Sequence, residues 1–201
     1  MIRIGLTGNI ATGKSHIGAV LCELGALHID ADRVAHEMLA PGGAAYAGVV
    51  AHFGPDILAP DDTIDRRALG AIVFSDPAAL RRLEALVHPS TIAEIERRIV
   101  VSGAPVVVVE AIKLLESGMA ETYDAIWVAT CAEEEQVARL QASRGLERTE
   151  ALRRIRAQPP QVEKLARADV IIHTDGPKEA TRAQVVAAYC DLAKGSESAQ
   201  G

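Results

Sequence analysis

The segment Gly8-Asn9-Ile10-Ala11-Thr12-Gly13-Lys14-Ser15 follows an apolar run near the start of this 201-residue chain. It fits the pattern G-x-x-x-x-G-K-[ST], whose glycines allow backbone N–H groups to turn inward around phosphate oxygens. Lys14 adds positive charge at the β- and γ-phosphates, and the Ser15 hydroxyl can bind Mg²⁺. A helix that begins near Lys14 would direct its positive N-terminal end at the same anion. We therefore predict a nucleotide-phosphate site with these contact residues: Gly8, Asn9, Ile10, Ala11, Thr12, Gly13, Lys14, Ser15 and His16.

Short apolar strands alternate with helical stretches along the rest of the chain. Strands are predicted at Ile2–Thr7, Leu27–Ile29, Val106–Val109, Ala125–Thr130 and Val170–Ile172, and helices at Lys14–Leu24, Glu133–Ser143 and Lys178–Lys194. Residues 33–102 and 149–167 are mostly helical, with breaks expected at His88-Pro89 and Pro159-Pro160. Such alternation is typical of a parallel sheet covered by helices. The predicted fold class is therefore α/β, a three-layer parallel sheet of the phosphate-loop NTPase type with a helical insert and a basic lid.

These elements predict a single domain over residues 1–194. Its core comprises 1–32, 104–138 and 168–194, with a helical substrate-binding region at 33–103 and the lid at 139–167. The small and polar residues 195–201 are expected to form a disordered tail. The order of the strands in the sheet stays open at this stage.

Charge and composition exclude several classes of protein. The net charge of −6 argues against a nucleic-acid partner, because such binding relies on an excess of Lys and Arg. No segment approaches the roughly 18 uninterrupted apolar residues of a membrane span, and no signal peptide is recognisable. The three cysteines are widely spaced, which excludes a disulfide framework and fits a reducing compartment. We expect a cytoplasmic protein that acts on a small molecule, with no nucleic-acid, membrane or obligate protein partner.

The basic segment (residues 139–167) contrasts with the acidic remainder of the chain. It holds eight basic and three acidic residues, a local charge of +5 that leaves −11 elsewhere. Such a concentration suggests a small polyanionic ligand, although a solvated helical face would look similar. Arginines on a mobile helical pair can close over a nucleotide and neutralise charge in the transition state. On this basis we predict catalytic roles for Arg139 and Arg144.

Carboxylates follow two of the predicted strands. Asp30 and Asp32 come at the end of the second strand, and if that strand neighbours the first, both would face the γ-phosphate region. One carboxylate could accept a proton from an acceptor hydroxyl while another holds metal-bound water, although either residue could instead cap the following helix. His36 shares a helix face with Asp32. Glu110 directly follows Val106–Val109, where it could serve the metal or be a solvated strand end.

In combination these residues resemble the dephospho-CoA kinases, and the resemblance extends from Ile4 to about Leu192. It rests on an ordered set of motifs beyond the phosphate loop: Ile29-Asp30-Ala31-Asp32 with His36, Asp65-Arg66-Arg67-Ala68-Leu69 with Phe74, Leu86-Val87-His88-Pro89, Arg139-Leu140 with Arg144, Arg154-Ile155 with Gln158, and Ala168-Asp169-Val170-Ile171-Ile172 before Gly176.

The resemblance implies a kinase that transfers the γ-phosphoryl group of ATP to the ribose 3′-hydroxyl of dephospho-CoA, with Mg²⁺ as metal cofactor. Asp32 matches the position assigned as base, and Lys14 and Ser15 match the phosphate and Mg²⁺ ligands. The resemblance implies catalytic roles for Asp32, Lys14, Arg139 and Arg144. It implies substrate binding by Asp32, His36, Arg67 and His88. The implied metal ligands are Ser15, Asp30 and Glu110.

Three positions depart from the family pattern. Asn9 stands where a second glycine is usual after Gly8, and the segment Glu110–Glu116 replaces the usual Asp-x-Pro-Leu-Leu. Thr174 stands where an asparagine is usual, so that recognition of adenine would rest on backbone groups.

Two other functions fit the same architecture. Another nucleoside or nucleotide kinase would share the phosphate loop, the helical insert and the arginine-bearing lid. A nucleotide-hydrolysing switch would normally carry a base-reading N-K-x-D motif, and this sequence contains none.

Overall fold

The computed structural model describes residues 1–115 and 119–198. It confirms the α/β fold class, because five strands form one parallel sheet in the order β2-β3-β1-β4-β5. The strands are β1 (Ile2–Thr7), β2 (Leu27–Asp30), β3 (Val106–Glu110), β4 (Ala125–Thr130) and β5 (Val170–His173). Within the described residues, no helix is long and apolar enough to cross a membrane.

The chain divides into two compact units, Met1–Ile29 with Ala104–Gly201, and Asp30–Gly103. The first contains α1 (Lys14–Glu23), α6 (Glu133–Arg144), α7 (Arg148–Arg156), α8 (Gln161–Leu165) and α9 (Lys178–Ser198). The second contains α2 (Ala31–Met38), α3 (Tyr46–Phe53), α4 (Arg66–Ser75) and α5 (Pro77–Ser102). The region 33–103, in which we expected substrate binding, lies inside the second unit.

The sheet places β1 at its centre, between β3 and β4. Every residue of β3 is buried, as its valine run predicts for a strand covered on both faces. In register, Leu6 of β1 pairs with Glu110 of β3, and Thr7 pairs with Val128 of β4. The end of β1, from which the phosphate loop departs, is therefore flanked by the ends of two buried strands.

The strand order, which the sequence left open, places β3 between β2 and β1, so the condition under which both aspartates would face the γ-phosphate region is not met. β2 has four residues, of which only Ile29 is buried, and such a short and half-covered strand suits the edge of a sheet. The carboxylates at the end of β2 therefore do not follow the strand next to the phosphate-loop strand.

The hydrophobic core of the first unit lies between the sheet and the helices α1 and α9. Ile4, Leu6, Trp127 and Ile172 are the large buried side chains from the strands, and Val185 is the buried residue from α9. Transfer of such side chains from water contributes about 1.5–3 kcal/mol each to the stability of the unit.

The second unit is organised by aspartate caps and a core of its own. Asp65 accepts hydrogen bonds from the N–H groups of Arg67 and Ala68 and so starts α4, and Asp76 caps α5 through the N–H of Ala78. The core comprises Ala45, Val49, Ile57, Leu69, Val73 and Val87.

The predicted break at His88-Pro89 is wrong, because α5 runs unbroken through Pro89. Proline costs the helix one backbone hydrogen bond. The carbonyl that loses its partner is that of Ala85, whereas the hydroxyl groups of Ser90 and Thr91 donate to the carbonyl oxygen of Val87, at 3.0 and 2.9 Å, and so do not replace the lost bond. Buried side chains at 87, 91, 95 and 99 form one face of α5, and their packing holds the helix together.

The C-terminal helix differs from the prediction as well. We expected it to end at Lys194, but α9 continues to Ser198, so part of the predicted disordered tail is helical. Residues 199–201 lie outside the described residues, as does Glu116 of the departing segment. The predicted break at Pro159-Pro160 is confirmed, because it separates α7 from α8.

One glycine of α1 makes room for a polar pair. A Cβ atom on Gly18 would lie 2.7 Å from the imidazole of His28, and the Nε2 atom of His28 lies 3.1 Å from Oε2 of Glu110. The ring is held by this contact, so it cannot move aside without loss of the pair.

We therefore expect Gly18→Ala to lower the free energy of unfolding by about 1–3 kcal/mol, as overpacking does. Gly48→Ala is the matched control in α3, because its nearest neighbour, Leu86, lies at 3.6 Å. That change should raise stability by about 0.5–1 kcal/mol through helix propensity alone. Urea denaturation of both variants tests the contrast, and equal stability of the two would contradict the tight packing around Gly18.

Candidate functional site

The phosphate loop adopts the backbone angles that an anion-binding nest requires. Gly8, Ala11 and Gly13 have φ values of 148°, 59° and 87°. A Cβ on Gly8 would lie 2.5 Å from the carbonyl oxygen of Ala129, so no other residue fits there without a shift of the backbone. Ala11 is a non-glycine residue in the left-handed region, a strained conformation that persists when its surroundings hold it in place.

Each backbone carbonyl from residue 8 to residue 13 receives a hydrogen bond from a donor outside the nest. The ammonium group of Lys14, which is only 7% exposed, donates to the carbonyl oxygens of Gly8 at 2.9 Å and Asn9 at 3.1 Å. The Gly13 carbonyl accepts from the N–H of His16, the first bond of α1. The side chains that bind the remaining three carbonyls are Gln136 for Ile10, Arg139 for Ala11 and Thr174 for Thr12.

Arg139 contacts the loop itself and the end of β5. Its guanidinium donates to the carbonyl oxygen of Ala11 at 3.1 Å, to Oγ1 of Thr174 at 3.0 Å and to the carbonyl oxygen of Thr174, while its Nε bonds to Glu135. The side chain is 29% exposed. In this arrangement Arg139 stabilises the loop, and it does not project from a separate lid as the sequence suggested. Arg144, the second predicted catalytic arginine, is the exposed last residue of α6.

A cavity of about 280 Å³ lies beside the loop. Gly13, His16 and Thr174 line it together with Gly176 and Lys178. The imidazole Nε2 of His16 lies 3.3 Å from the carbonyl oxygen of Lys178. The cavity adjoins the phosphate loop at the start of α1, where the base and sugar of a nucleotide could lie.

The basic segment is largely neutralised by glutamates within it and directly before it. Five arginines of the segment form ion pairs, in which Arg139 pairs with Glu135, Arg148 with Glu134, Arg153 and Arg154 with Glu150, and Arg156 with Glu133. The two guanidinium groups beside Glu150 lower its pKa to about 2. Hydrogen bonds from Arg156 and Arg148 likewise lower the pKa of Glu133 and of Glu134. A depressed carboxylate pKa means that these glutamates stay ionised, and their pairs persist, at neutral pH.

These pairs explain why charge counting overstated the free positive charge. Glu133, Glu134 and Glu135 precede the counted window, and two of the pairs, those of Arg148 and Arg156, join α7 to α6. Five arginines of the segment are therefore paired with glutamates, two of them between helices, and the segment is not an open anion-binding surface.

The second unit contains the remaining predicted site residues. Asp30 accepts a hydrogen bond from the N–H of Arg33 at 3.0 Å and caps α2, so the capping alternative holds for this residue. Asp32 and His36 are exposed and lie one helical turn apart on α2. Arg67 is exposed in α4, and His88 is half-buried in α5.

A larger cavity of about 540 Å³ lies within the second unit. Its walls are mostly apolar, and its polar contributions include His36 and Arg66. Of the residues predicted to bind substrate, His36 lines the cavity, and Arg66, the neighbour of the predicted Arg67, lines it as well. The two arginines are adjacent in sequence, so only the geometry of α4 distinguishes them.

Sequence reasoning missed the structural role of several side chains around the loop. Gln136 and Gln161 were not singled out, and Thr174 was noted only as a departure from a family pattern. Thr174 is 3% exposed, and its Oγ1 donates to the carbonyl oxygen of Thr12 at 2.9 Å. A buried hydroxyl that both accepts from Arg139 and donates to the loop is not recognisable from local sequence.

Replacement of Thr174 by valine should therefore weaken nucleotide binding. The change leaves the Thr12 carbonyl and the Arg139 guanidinium each without one partner, which costs about 1–3 kcal/mol, or roughly tenfold in affinity. Thr174→Ser is the control that keeps the hydroxyl and should bind as the native protein does. Titration calorimetry with Mg-ATP measures both, and unchanged affinity of Thr174→Val would contradict the role of this side chain.

Comparison with known proteins identifies close relatives over nearly the whole chain. A family model described as dephospho-CoA kinase matches residues 2–179. The dephospho-CoA kinase of Geobacter sulfurreducens is 46% identical over 183 residues, which cover 88% of this chain and 91% of that protein.

Solved structures give the same result. TT1252 from Thermus thermophilus is 34% identical and superposes with a TM-score of 0.83, over 95% of this chain and 97% of that one. A dephospho-CoA kinase from Campylobacter jejuni is 28% identical with a TM-score of 0.69, over 96% of this chain and 98% of that one.

Proposed function

The chain belongs to the dephospho-CoA kinase family, and we propose that it transfers the γ-phosphoryl group of ATP to the ribose 3′-hydroxyl of dephospho-CoA. The products are coenzyme A and ADP, so the reaction completes coenzyme A synthesis. The observation that supports this proposal is the phosphate loop, whose carbonyls are all bonded to donors and so are turned away from a bound anion. Family membership favours dephospho-CoA over the acceptors of related nucleotide kinases.

ATP fits the loop and the smaller cavity together. The amides of the loop and the N-terminus of α1 would hold the β- and γ-phosphates, and Lys14 would turn from the loop carbonyls toward them. The base and ribose would occupy the cavity beside Gly13, His16 and Thr174. Thr174 uses its hydroxyl for the loop, so base recognition is left to shape and to backbone groups.

The residues present fit a Mg²⁺ ion that arrives with the nucleotide. Within the described residues no group of three or more His, Cys, Asp or Glu side chains could hold a metal by itself. Mg²⁺ commonly binds through one or two protein ligands plus substrate phosphates and water, so this suffices. Ser15 at the start of α1 and Glu110 at the end of β3 are the candidate ligands. When bound, the ion would neutralise charge that develops on the phosphates.

Glu110 is already held in place by its neighbour. It is 7% exposed, and its Oε2 lies 3.1 Å from Nε2 of His28. This contact leaves Oε1 for a metal or a metal-bound water. Asp30 serves as a helix cap, which supports a structural role for this residue over the metal role we first considered.

The larger cavity of the second unit suits the acceptor. Its volume of about 540 Å³ and its apolar walls, among them Leu69, Val73 and Phe74, could cover the extended arm of dephospho-CoA. His36 and Arg66 supply polar contacts at its wall. Arg67 and His88, which match family motifs, remain candidates for further acceptor contacts.

The chemical step needs a group that receives one proton. The bond between the γ-phosphorus and the bridging oxygen breaks to release ADP, while the acceptor 3′-oxygen bonds to the same phosphorus. Asp32 is proposed to take the proton from that hydroxyl, because it matches the family position and carries an exposed carboxylate on α2. Lys14 would stabilise charge on the transferred group, and Arg144 is proposed as a further contact from α6.

The cytoplasm is the proposed compartment, because all three cysteines are free thiols, as is usual under reducing conditions.

We expect Asp32→Asn to bind ATP as the native protein does but to transfer phosphate to dephospho-CoA at least about 100-fold more slowly. The reason is that the amide cannot accept the hydroxyl proton, while the loop amides and Lys14 still hold the nucleotide. The measurement is ADP release with saturating dephospho-CoA, combined with calorimetry for ATP.

Two variants control this experiment. Asp56→Asn removes an exposed carboxylate from the same unit and should leave turnover unchanged. Lys14→Ala removes phosphate binding and should lose both transfer and ATP affinity. Near-normal transfer by Asp32→Asn would show that the base lies elsewhere, with Glu110 as the next candidate.

A further inference from the structure

The segment that joins α7 to α8 and continues into α8 contacts the ends of three strands. We call residues 158–164 the strap. Gln158 accepts a hydrogen bond from the N–H of Ile10 at 2.7 Å, in the loop after β1. Gln161 accepts from the N–H of Asn9 at 3.1 Å and donates to the carbonyl oxygen of Ala129, in β4, at 2.8 Å. The strap therefore ties the phosphate loop to the neighbouring strand.

Its other end is fixed beyond β3. Lys164 is a lysine only 2% exposed, and its ammonium group donates to the carbonyl oxygen of Ile112 at 2.6 Å. The hydroxyl of Thr7, the last residue of β1, lies 3.2 Å from the same carbonyl oxygen. A buried ammonium costs free energy unless it is bonded, so this contact fixes α8 against the segment that follows β3.

The first half of the phosphate loop is fixed from two sides. Asn9 is 6% exposed, and its side-chain amide donates to the carbonyl oxygen of Pro159 at 3.0 Å. The carbonyl oxygen of Ile10 accepts from Gln136 of α6 at 2.7 Å, while its N–H is held by Gln158. Both polar groups of the Ile10 backbone are therefore bonded by glutamine side chains immediately before the strained residue Ala11.

This arrangement decides which amides can bind phosphate. The N–H groups of Asn9 and Ile10 are already bonded to the strap, and that of Thr12 is bonded to the carbonyl oxygen of Asn9, so the anion must be bound by other amides of the loop. We propose that Gln158 and Gln161 are positioning residues that act through Ile10 and Asn9 to place the γ-phosphoryl group for transfer. The inference rests on the proposed kinase function and extends it to side chains that touch no substrate.

Loosening of the strap should affect kcat and KM for ATP to different extents. The glutamines bond to the amides of Asn9 and Ile10, whereas Lys14, Ser15 and the N-terminus of α1 follow later in the loop, so nucleotide binding should persist when the strap is loosened. The γ-phosphoryl group, in contrast, would sample positions away from the reactive one, and a displacement of about 1 Å can cost about 100-fold in rate. Loss of the glutamine contacts should therefore lower kcat far more than it raises KM for ATP.

The test uses Gln158→Met and Gln161→Met, which keep the length of each side chain and remove its amide. We expect kcat with dephospho-CoA to fall about 10- to 100-fold and KM for ATP to change less than about threefold. Val162→Ala and Glu163→Gln, at exposed positions of the same strap, are the matched controls and should keep the native kcat within about twofold.

A second readout does not depend on the acceptor. Hydrogen–deuterium exchange of the nucleotide-free protein should show faster exchange of the Asn9 and Ile10 amides in the two methionine variants and not in the controls. This measurement tests the strap even if dephospho-CoA proves to be the wrong substrate, so the two proposals fail separately. If Gln161→Met does not fold, Gln158→Met, which removes a single bond, decides the matter.

The inference is overturned by either of two results in a folded methionine variant. One is a kcat within about twofold of the native value, and the other is native exchange at Asn9 and Ile10. A rise in KM for ATP that matches the fall in kcat/KM would also overturn it, because that would make the glutamines part of nucleotide binding and not of γ-phosphoryl positioning.

Discussion

An anion site built from backbone N–H groups depends on which donors bind the carbonyl oxygens of the same loop. Each carbonyl of the loop must point away from the phosphate and find a donor there, because an unpaired buried carbonyl costs about 1–3 kcal/mol. Three of the donors come from far along the sequence, namely Gln136, Arg139 and Thr174 for the middle of the loop, whereas Lys14 of the loop itself bonds the carbonyls at its start. The phosphate site is therefore assembled by helices and strands that follow the loop by more than 120 residues.

This requirement explains features that otherwise look unrelated. The threonine at position 174 replaces an asparagine usual in the family, yet its hydroxyl serves both the Thr12 carbonyl and Arg139. Arg139 bonds to Ala11, which adopts a conformation disfavoured for a non-glycine residue. Glu110 and His28 form a comparable pair at the end of β3, and Gly18 provides the space for the imidazole. Substitutions at these positions are expected to act through the loop or through the metal side of the site.

Local pattern was sufficient for the parts of the structure that local physics controls. The glycine-rich loop, the valine run of β3 and the aspartates at helix starts all carry their structural signal within a few residues, and the fold class follows from their alternation. The order of the strands does not, because β2 could pair with β1 or with β3 without any change in its own sequence. The helix break predicted at Pro89 failed because it too was judged from local sequence, whereas burial of one face of α5 outweighs the local defect.

The candidate site likewise contains residues that the sequence could predict and contacts that only tertiary packing determines. The phosphate-loop residues are recognisable by spacing, whereas the ion pairs that occupy Arg148 and Arg156 depend on how α7 packs on α6.

The central claim about this protein is that the phosphoryl group goes to an acceptor and not to water. Incubation with Mg-ATP in the presence and absence of dephospho-CoA, followed by ADP release and by mass spectrometry of the acceptor, measures this directly. The account predicts that ADP forms only with dephospho-CoA and that one phosphate is added at its ribose 3′-position. ADP release at the same rate without the acceptor would contradict it.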